Sequence, residues 1–472
     1  MNITKALGFT ALLQIPLVYS AFAAGKPNII IIFNDDQGYQ DLGCYGSPNI
    51  KTPRVDQLAK EGMRFTDHYV ASSVCSPSRA SLLTGCYPQR VGVKGVFFPN
   101  TDRGLDSKHV TIAEMLKTNG YATAAVGKWH LGDKPEFLPT NQGFDSYYGI
   151  PYSNDMYPAK GMKYADNCLF REEYSEKIIG EIFANNLSEN NPKVLKNRVP
   201  LMRNNECVEF PCDQTTITKR YAEESLQFIK ENAASKKPFF LYLANTMPHT
   251  PIFTTPEFKG KSRQGLYGDA IEEIDFYTGK ILDQLKELGI EKNTIVIYTS
   301  DNGPWLTEGK NNSGSALPLF EGKFTSFDGG MRVPFIIRWP KKIPAGSVCN
   351  ELTSTIDILP TLAKITGARL PDTELDGKNI VNLWKGEKGA KTPHDNYFLV
   401  FQGEAVRSGD WKYHKKEVFQ VKATTRKSEG ATLYNLKNDI GESVNVIDQY
   451  PEVANRLAKA LDAHLKYISK EK

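Results

Sequence analysis

Four short runs along the chain are apolar at almost every position: Asn28 to Phe33, Ala122 to Val126, Phe239 to Ala244 and Thr294 to Thr299. Apolar residues in succession, rather than at alternate positions, predict strands covered on both faces, as in a parallel-type sheet. Each run stops in polar residues. Between the runs the spacing turns helical, most plainly over Asp269 to Leu288, where Ile271, Ile274, Tyr277, Ile281, Leu282 and Leu285 share one face. Strands alternating with helices of this length predict a doubly wound α/β domain. Ligands collect outside the carboxyl ends of such strands. The residues after the four runs are therefore expected to face one crevice: Asn34-Asp35-Asp36, Gly127-Lys128-Trp129-His130, Asn245 with His249, and Ser300-Asp301-Asn302-Gly303.

From about residue 389 the pattern shifts to short β-prone pieces (Tyr397 to Phe401, Trp411 to His414, Leu433 to Leu436) and a final amphipathic helix from Pro451 to Ile468. This predicts a small C-terminal α+β domain, residues 389–472, behind a main domain of residues 25–388. The basic segment Lys422 to Lys427 reads as a solvated loop. At the other end, residues 1–24 carry Lys5, an apolar stretch and then Ala21-Phe22-Ala23, the small-x-small pattern of a cleaved signal peptide. The stretch is short and broken by Gln14 and Pro16, so export is expected and an integral membrane span is not.

A chain of 472 residues exceeds the size at which a single core keeps growing, which agrees with two domains. Its formal charge of +4 falls to +3 once Lys5 leaves with the leader. That near-neutral balance gives no nucleic-acid footprint, which takes a strongly basic patch. The seven cysteines make an odd count, leaving at least one thiol unpaired in an exported protein. Cys207 and Cys212 are close enough in sequence for a small disulfide loop, and no Cys/His cluster suggests zinc.

The string Val74-Cys75-Ser76-Pro77-Ser78-Arg79-Ala80-Ser81-Leu82-Leu83-Thr84-Gly85 places Cys75 at a helix N-terminus, where partial positive charge welcomes anions and a bare thiol is expected to be reactive. Cys-x-Pro-Ser-Arg followed by Leu-Thr-Gly resembles the signature of the formylglycine-dependent type I sulfatases. The resemblance continues in order through Asp35-Asp36, Gly127-Lys128-Trp129-His130-Leu131-Gly132, Pro248-His249, Ser300-Asp301-Asn302-Gly303, Gly322-Lys323 and Gly329-Gly330-Met331-Arg332. With Gly149-Ile150-Pro151-Tyr152-Ser153 it is similar to the branch of arylsulfatase A and the N-acetylgalactosamine sulfatases. Two positions depart from that pattern: Asn154 stands where arylsulfatase A has histidine, and Glu321 where a small residue is commoner.

The resemblance implies an alkaline-phosphatase-like α/β sandwich with a large mixed, mostly parallel central sheet flanked by helices, and a smaller C-terminal domain with a short antiparallel sheet. It implies that Cys75 is oxidised by a maturase to Cα-formylglycine, whose hydrated gem-diol attacks the sulfur of a sulfate ester. Asp35, Asp36, Asp301 and Asn302 are the implied metal ligands, an all-oxygen set that suits calcium first and magnesium next. By the same resemblance Arg79 is expected to stabilise the diol and the metal site, His130 to bind the diol and take the proton in sulfate release, and Lys128, Lys323 and His249 to surround the sulfate, with His249 protonating the leaving alcohol and Lys323 the alternative proton source. Arg332 is expected to be structural. Trp305 and the histidines outside the motifs (His68, His109, His394, His414, His464) are candidates for the substrate subsite. The implied enzyme is a periplasmic or secreted sulfuric ester hydrolase acting on a sulfated oligosaccharide or polysaccharide, with galactose or N-acetylgalactosamine sulfate as the sugar. Phosphate or phosphonate ester hydrolysis, and glycan binding by an unmodified chain, are the alternatives.

Overall fold

The computed structural model describes residues 25–185, 193–309, 311–421, 426 and 430–469. The expected signal peptide and most of Lys422 to Lys427 lie outside the described residues. All four apolar runs form strands: β1 (Asn28–Asn34), β2 (Ala122–Gly127), β3 (Phe239–Ala244) and β4 (Thr294–Ser300). They are neighbours in the order β4-β1-β3-β2, parallel throughout, at the centre of an 11-stranded sheet. Every residue in them is buried, as two-sided cover requires. Register brings Asn34 level with Ser300 and Gly127 level with Ala244, so the polar residues after each strand emerge at the same height. β2 and β3 approach so closely there that a Cβ on Gly127 would stand 1.8 Å from the Ala244 carbonyl oxygen.

The sheet is mixed, because Phe335–Arg338 runs antiparallel to β4 and short strands such as Leu201–Arg203 and Glu206–Phe210 extend the other edge. Helices cover both faces. Ile29, Ile31 and Phe33 point into one core with Leu82, Leu83 and Ile358, and Ile30 and Ile32 into the other with Ile271, Ile274 and Leu285. The helix expected at Asp269 to Leu288 spans Gly265–Glu287. Among the described residues no helix is long and apolar enough to cross a membrane.

The C-terminal part is a four-stranded antiparallel sheet, β5 (Tyr397–Phe401), β6 (Gly403–Ser408), β7 (Trp411–Lys416) and β8 (Thr432–Asn435), covered by helix α1 (Pro451–Ser469). Leu457 and Leu461 of the helix pack on Val406 and Leu433 of the sheet. Two expectations are corrected. Arg426, the described residue of the basic segment, is half-buried rather than solvated, its guanidinium 4.5 Å from the Phe320 ring centre. All seven cysteines are free thiols. The Cys207 sulfur lies 3.9 Å from that of Cys168 instead of pairing with Cys212, whose sulfur accepts from Arg220.

Candidate active site

The helix Cys75–Thr84 begins at the carboxyl end of the central strands. Val74 is extended and Gly85 closes the helix in the left-handed region, φ 70°, so the chain turns sharply at both ends. Cys75 Sγ reaches Asp35 Oδ1 at 3.4 Å and Lys323 Nζ at 3.6 Å. Arg79, one helical turn on, is fully buried. Its guanidinium donates to Asp301 Oδ2 at 2.7 and 3.1 Å and to the Lys128 carbonyl at 2.9 Å, and lies 3.5 Å from Asp35 Oδ1.

Asp35 and Asp36 follow β1 directly. Lys128 Nζ bonds Asp35 Oδ2 at 2.5 Å, and Lys323 Nζ bonds Asp36 Oδ2 at 2.8 Å. Asp301 and Asn302, following β4, close on the same pair: the Asp36 amide donates to Asp301 Oδ1 at 3.1 Å, and Asn302 Nδ2 donates to Asp36 Oδ1 at 2.7 Å. Backbone strain marks the spot, since Asp36 and His130 both sit in the left-handed region at φ 63° and 60°. The residues expected to gather at the strand ends do so as a buried cluster, with all ten metal-ligand and catalytic candidates in or beside it.

His249 Nδ1 faces two acceptors, the Thr250 carbonyl at 2.6 Å and Asn154 Oδ1 at 3.0 Å. The neutral ring therefore carries its proton on Nδ1 and presents a bare Nε2 to Ser153 Oγ at 3.4 Å and Asp36 Oδ2 at 3.7 Å. Donation from Nε2 requires the doubly protonated ring. His130 differs: Nε2 donates to the Phe97 carbonyl at 2.9 Å, and Nδ1 is buried with no hydrogen-bond partner among the described residues. Its neutral form holds a free acceptor nitrogen.

Burial dominates the electrostatics, and charge decides its outcome. Burial opposes ionisation of Asp35, but Lys128, His249 and Arg79 outweigh it and hold the carboxyl well below the usual range. Asp301 is pushed up to about 7, by burial first and then by the charge of Asp35. Burial and the neighbouring lysines keep both His130 and His249 below the usual imidazole value. The Cys75 thiol is pushed up by burial and by Asp35. This corrects the expectation of a reactive thiol: desolvation outweighs the helix N-terminus, so the unmodified side chain stays protonated.

For a cation, donor atoms of Asp35, Asp36, Cys75 and His249 all lie within 4.8 Å of one another. Asp301 and Asn302 adjoin the same two aspartates, and Asn302 Oδ1 is buried without a hydrogen-bond partner among the described residues. A bare amide oxygen beside three carboxylates fits a hard, oxygen-seeking cation. The sequence pattern assigned no role to Ser153, which links Lys128 (3.3 Å) to His249, and missed Gln214, which orients Asn154 at 3.1 Å. Neither falls in a catalytic motif of its own. Of the subsite candidates, Trp305 stands beside the site, its ring 4.7 Å from Lys323 Nζ and 5.8 Å from His249. His68, His394, His414 and His464 are held elsewhere, by Thr353, Asp357, Glu442 and Phe398. Arg332 braces Asp67 and Asp328 and touches no catalytic candidate named above.

The sequence profile of the sulfatase family matches residues 27–368, well over half of the chain. The chain belongs to the sulfatase family. A second profile, that of the C-terminal part of N-sulphoglucosamine sulphohydrolase, matches residues 318–470. This sulfatase is 37% identical over 471 residues to arylsulfatase A of Bos taurus, covering 95% of this chain and 89% of the relative. It is 37% identical over 417 residues to N-acetylgalactosamine-6-sulfatase of Canis lupus familiaris, covering 84% and 73%. Among solved structures it is similar to Ps i-CgsB in complex with k-i-k-neocarrahexaose, with a TM-score of 0.77, 30% identity and coverage of 95% and 94%. As a sulfatase the protein is a sulfuric ester hydrolase.

Proposed function

We propose that this sulfatase removes sulfate from a sulfated carbohydrate, a galactose or N-acetylgalactosamine sulfate within a glycan, with Cys75 acting in its formylglycine form. The observation that carries the reading is the convergence of Cys75, Lys128 and Lys323 on Asp35 and Asp36 at one end of the sheet. Similarity to N-acetylgalactosamine-6-sulfatase and to a structure complexed with neocarrahexaose supports a sugar substrate.

Formylglycine supplies a hydrated aldehyde as nucleophile, and a divalent cation held by Asp35, Asp36, Asp301 and Asn302, calcium first and magnesium next, supplies fixed positive charge. The remaining work falls to side chains of the chain. Lys128 and Lys323 bind the oxygens of the sulfate group, and as fixed cations they favour the transition state, in which charge grows on oxygen. His249, with Nδ1 committed to Thr250 and Asn154, gives a proton from Nε2 to the departing alcohol when its ring is doubly protonated. His130 offers its bare Nδ1 as acceptor for the proton released when sulfate leaves. Arg79 ties Asp301 to Asp35 and keeps both carboxylates in place. Trp305 offers a half-buried ring at the rim for the apolar face of a sugar. The protein works in the periplasm or outside the cell after loss of residues 1–24.

Matured enzyme is to be tested on a panel of sulfated galactose and N-acetylgalactosamine oligosaccharides beside a phosphate monoester and a phosphodiester. The reading requires kcat/KM to be highest on one of the sulfated sugars. A higher value on a phosphorus ester would replace it with phosphoryl hydrolysis.

A further inference from the structure

Lys323 belongs to a segment with almost no regular structure of its own. Between Glu321 and Arg332 the only helix is Asp328–Met331, and Glu321 and Phe324 are both left-handed, at φ 62° and 72°. Such a segment has little intrinsic reason to hold one shape. Its contacts with the C-terminal sheet and the loops beside it therefore define its shape.

Those contacts grip it on both sides of Lys323. On one side, Glu321 accepts the backbone amides of Gln420 and Val421, at 3.3 and 3.2 Å. On the other, the Asp328 amide donates to Glu442 Oε2 at 2.7 Å, and Lys412 Nζ bonds both Asp328 Oδ1 at 2.7 Å and Glu442 Oε1 at 2.9 Å. His414 donates from Nε2 to the same Glu442 oxygen at 2.9 Å while its ring lies 4.7 Å from that of Phe327. β6 presses close as well: a Cβ on Gly403 would stand 2.2 Å from Ser326 Oγ. Asp328, Lys412, His414 and Glu442 are wholly buried.

A buried charge cluster of this kind is a poor way to gain stability, because desolvation offsets much of the attraction and apolar residues of equal size would do as well. What it gives is a fixed geometry, since charge-assisted bonds tolerate little displacement. The geometry fixed here is that of the segment from which Lys323 reaches Asp36 and Cys75.

We propose that Lys412 and Glu442 are positioning residues for the sulfatase reaction: they hold the 321–332 segment so that Lys323 Nζ stands where a sulfate oxygen binds. Glu321 completes the hold from the other flank. The C-terminal domain thus contributes to catalysis without any of these residues touching the reacting atoms. The proposal rests on the reading of Lys323 as a sulfate-binding cation, and the test separates the two.

The experiment is a double-mutant cycle on kcat and KM with a fluorogenic aryl sulfate, each value divided by the aldehyde content found with a hydrazide probe. Variants are Glu442→Gln, Lys323→Ala and the pair. Glu442→Gln is expected to lower kcat per aldehyde about tenfold with little change in KM, and to cost less than about twofold in the Lys323→Ala background. Unchanged kcat per aldehyde in Glu442→Gln, or the same loss in both backgrounds, overturns the proposal. Should Glu442→Gln not fold, Glu321→Ala takes its place in the cycle, because it breaks the bonds to Gln420 and Val421 on the other flank of the segment, and the same two outcomes decide. A fully active Lys323→Ala would instead overturn the reading of Lys323, and the proposal with it.

Discussion

His249 and Lys128 touch the same serine yet do different work, and a leaving-group series separates them. His249 sits with Nδ1 locked and Nε2 facing Asp36, so in the role proposed for it the doubly protonated ring hands the Nε2 proton to the departing oxygen. An alcohol of a sugar needs that proton and nitrophenolate does not. His249→Ala should therefore lose about 100-fold in kcat on a sugar sulfate and about tenfold or less on nitrophenyl sulfate. Lys128 is wholly buried against Asp35 and, as the sulfate-binding cation proposed above, would serve every ester alike, so Lys128→Ala should lose about 100-fold or more on both. Equal losses in His249→Ala on the two substrates would remove its role as proton donor. Asn154 shows what the sequence left open at this scale. It departs from the arylsulfatase A pattern, and only the fold reveals that its oxygen meets the histidine ring while its nitrogen reaches the Pro251 carbonyl at 2.8 Å.

The strands that build the site were legible because burial on both faces makes them apolar at successive positions, and the turns after them were legible because catalytic groups come in short motifs. Elements lacking either property were not. β6 carries Glu404 and Arg407 among small residues, since one of its neighbours is the buried Asp67, which pairs with Arg407 at 2.7 Å. The partners Lys412 and Glu442 lie 84 and 114 positions from Asp328, a separation over which no local pattern survives. At the same scale, helix α1 carries a titrating group on its packed face: the His464 ring stacks on Phe398 at 3.9 Å, 2° from parallel. Burial lowers its pKa to about 4 from the ordinary 6.5. The neutral ring is the one the fold accepts, so the stability it contributes is complete above about pH 6.5 and is lost as pH falls towards about 4, where the unfolded chain binds the extra proton. The amount is on the order of 2 kcal/mol, after allowance for the partly exposed ring. Urea midpoints at pH 7 and pH 4.5 should therefore differ less in His464→Phe than in the parent. Equal pH dependence in the two proteins would show that the ring titrates alike folded and unfolded.

Across the whole molecule the segment that carries Lys323 lies between the central sheet and the C-terminal part, where the reaction is proposed to occur. The central sheet brings Asp35, Asp36 and Asp301 together in a buried crevice, an arrangement that like charges oppose and a bound divalent cation relieves. Binding to the folded chain alone stabilises it by mass action, about 2.7 kcal/mol at a hundred times Kd. Removal of metal by a chelator should lower Tm and abolish turnover, and calcium should restore both more fully than magnesium. If Tm and turnover persist after elemental analysis shows the protein free of divalent metal, Asp35, Asp36, Asp301 and Asn302 have another purpose.

Cys75 is proposed to work only after oxidation to formylglycine, as the burial that opposes ionisation of its thiol and its Cys-Ser-Pro-Ser-Arg context together argue. The direct measurement is a preparation series made with graded amounts of a maturase, in which the mass of the peptide containing residue 75 and sulfatase turnover are determined on the same samples. Turnover should rise in proportion to the lighter, hydrazide-reactive aldehyde peptide, extrapolate to zero at zero aldehyde, and be absent from a folded Cys75→Ala protein. Full sulfatase activity in Cys75→Ala, or in samples whose residue 75 is entirely thiol, would show that formylglycine is not the nucleophile.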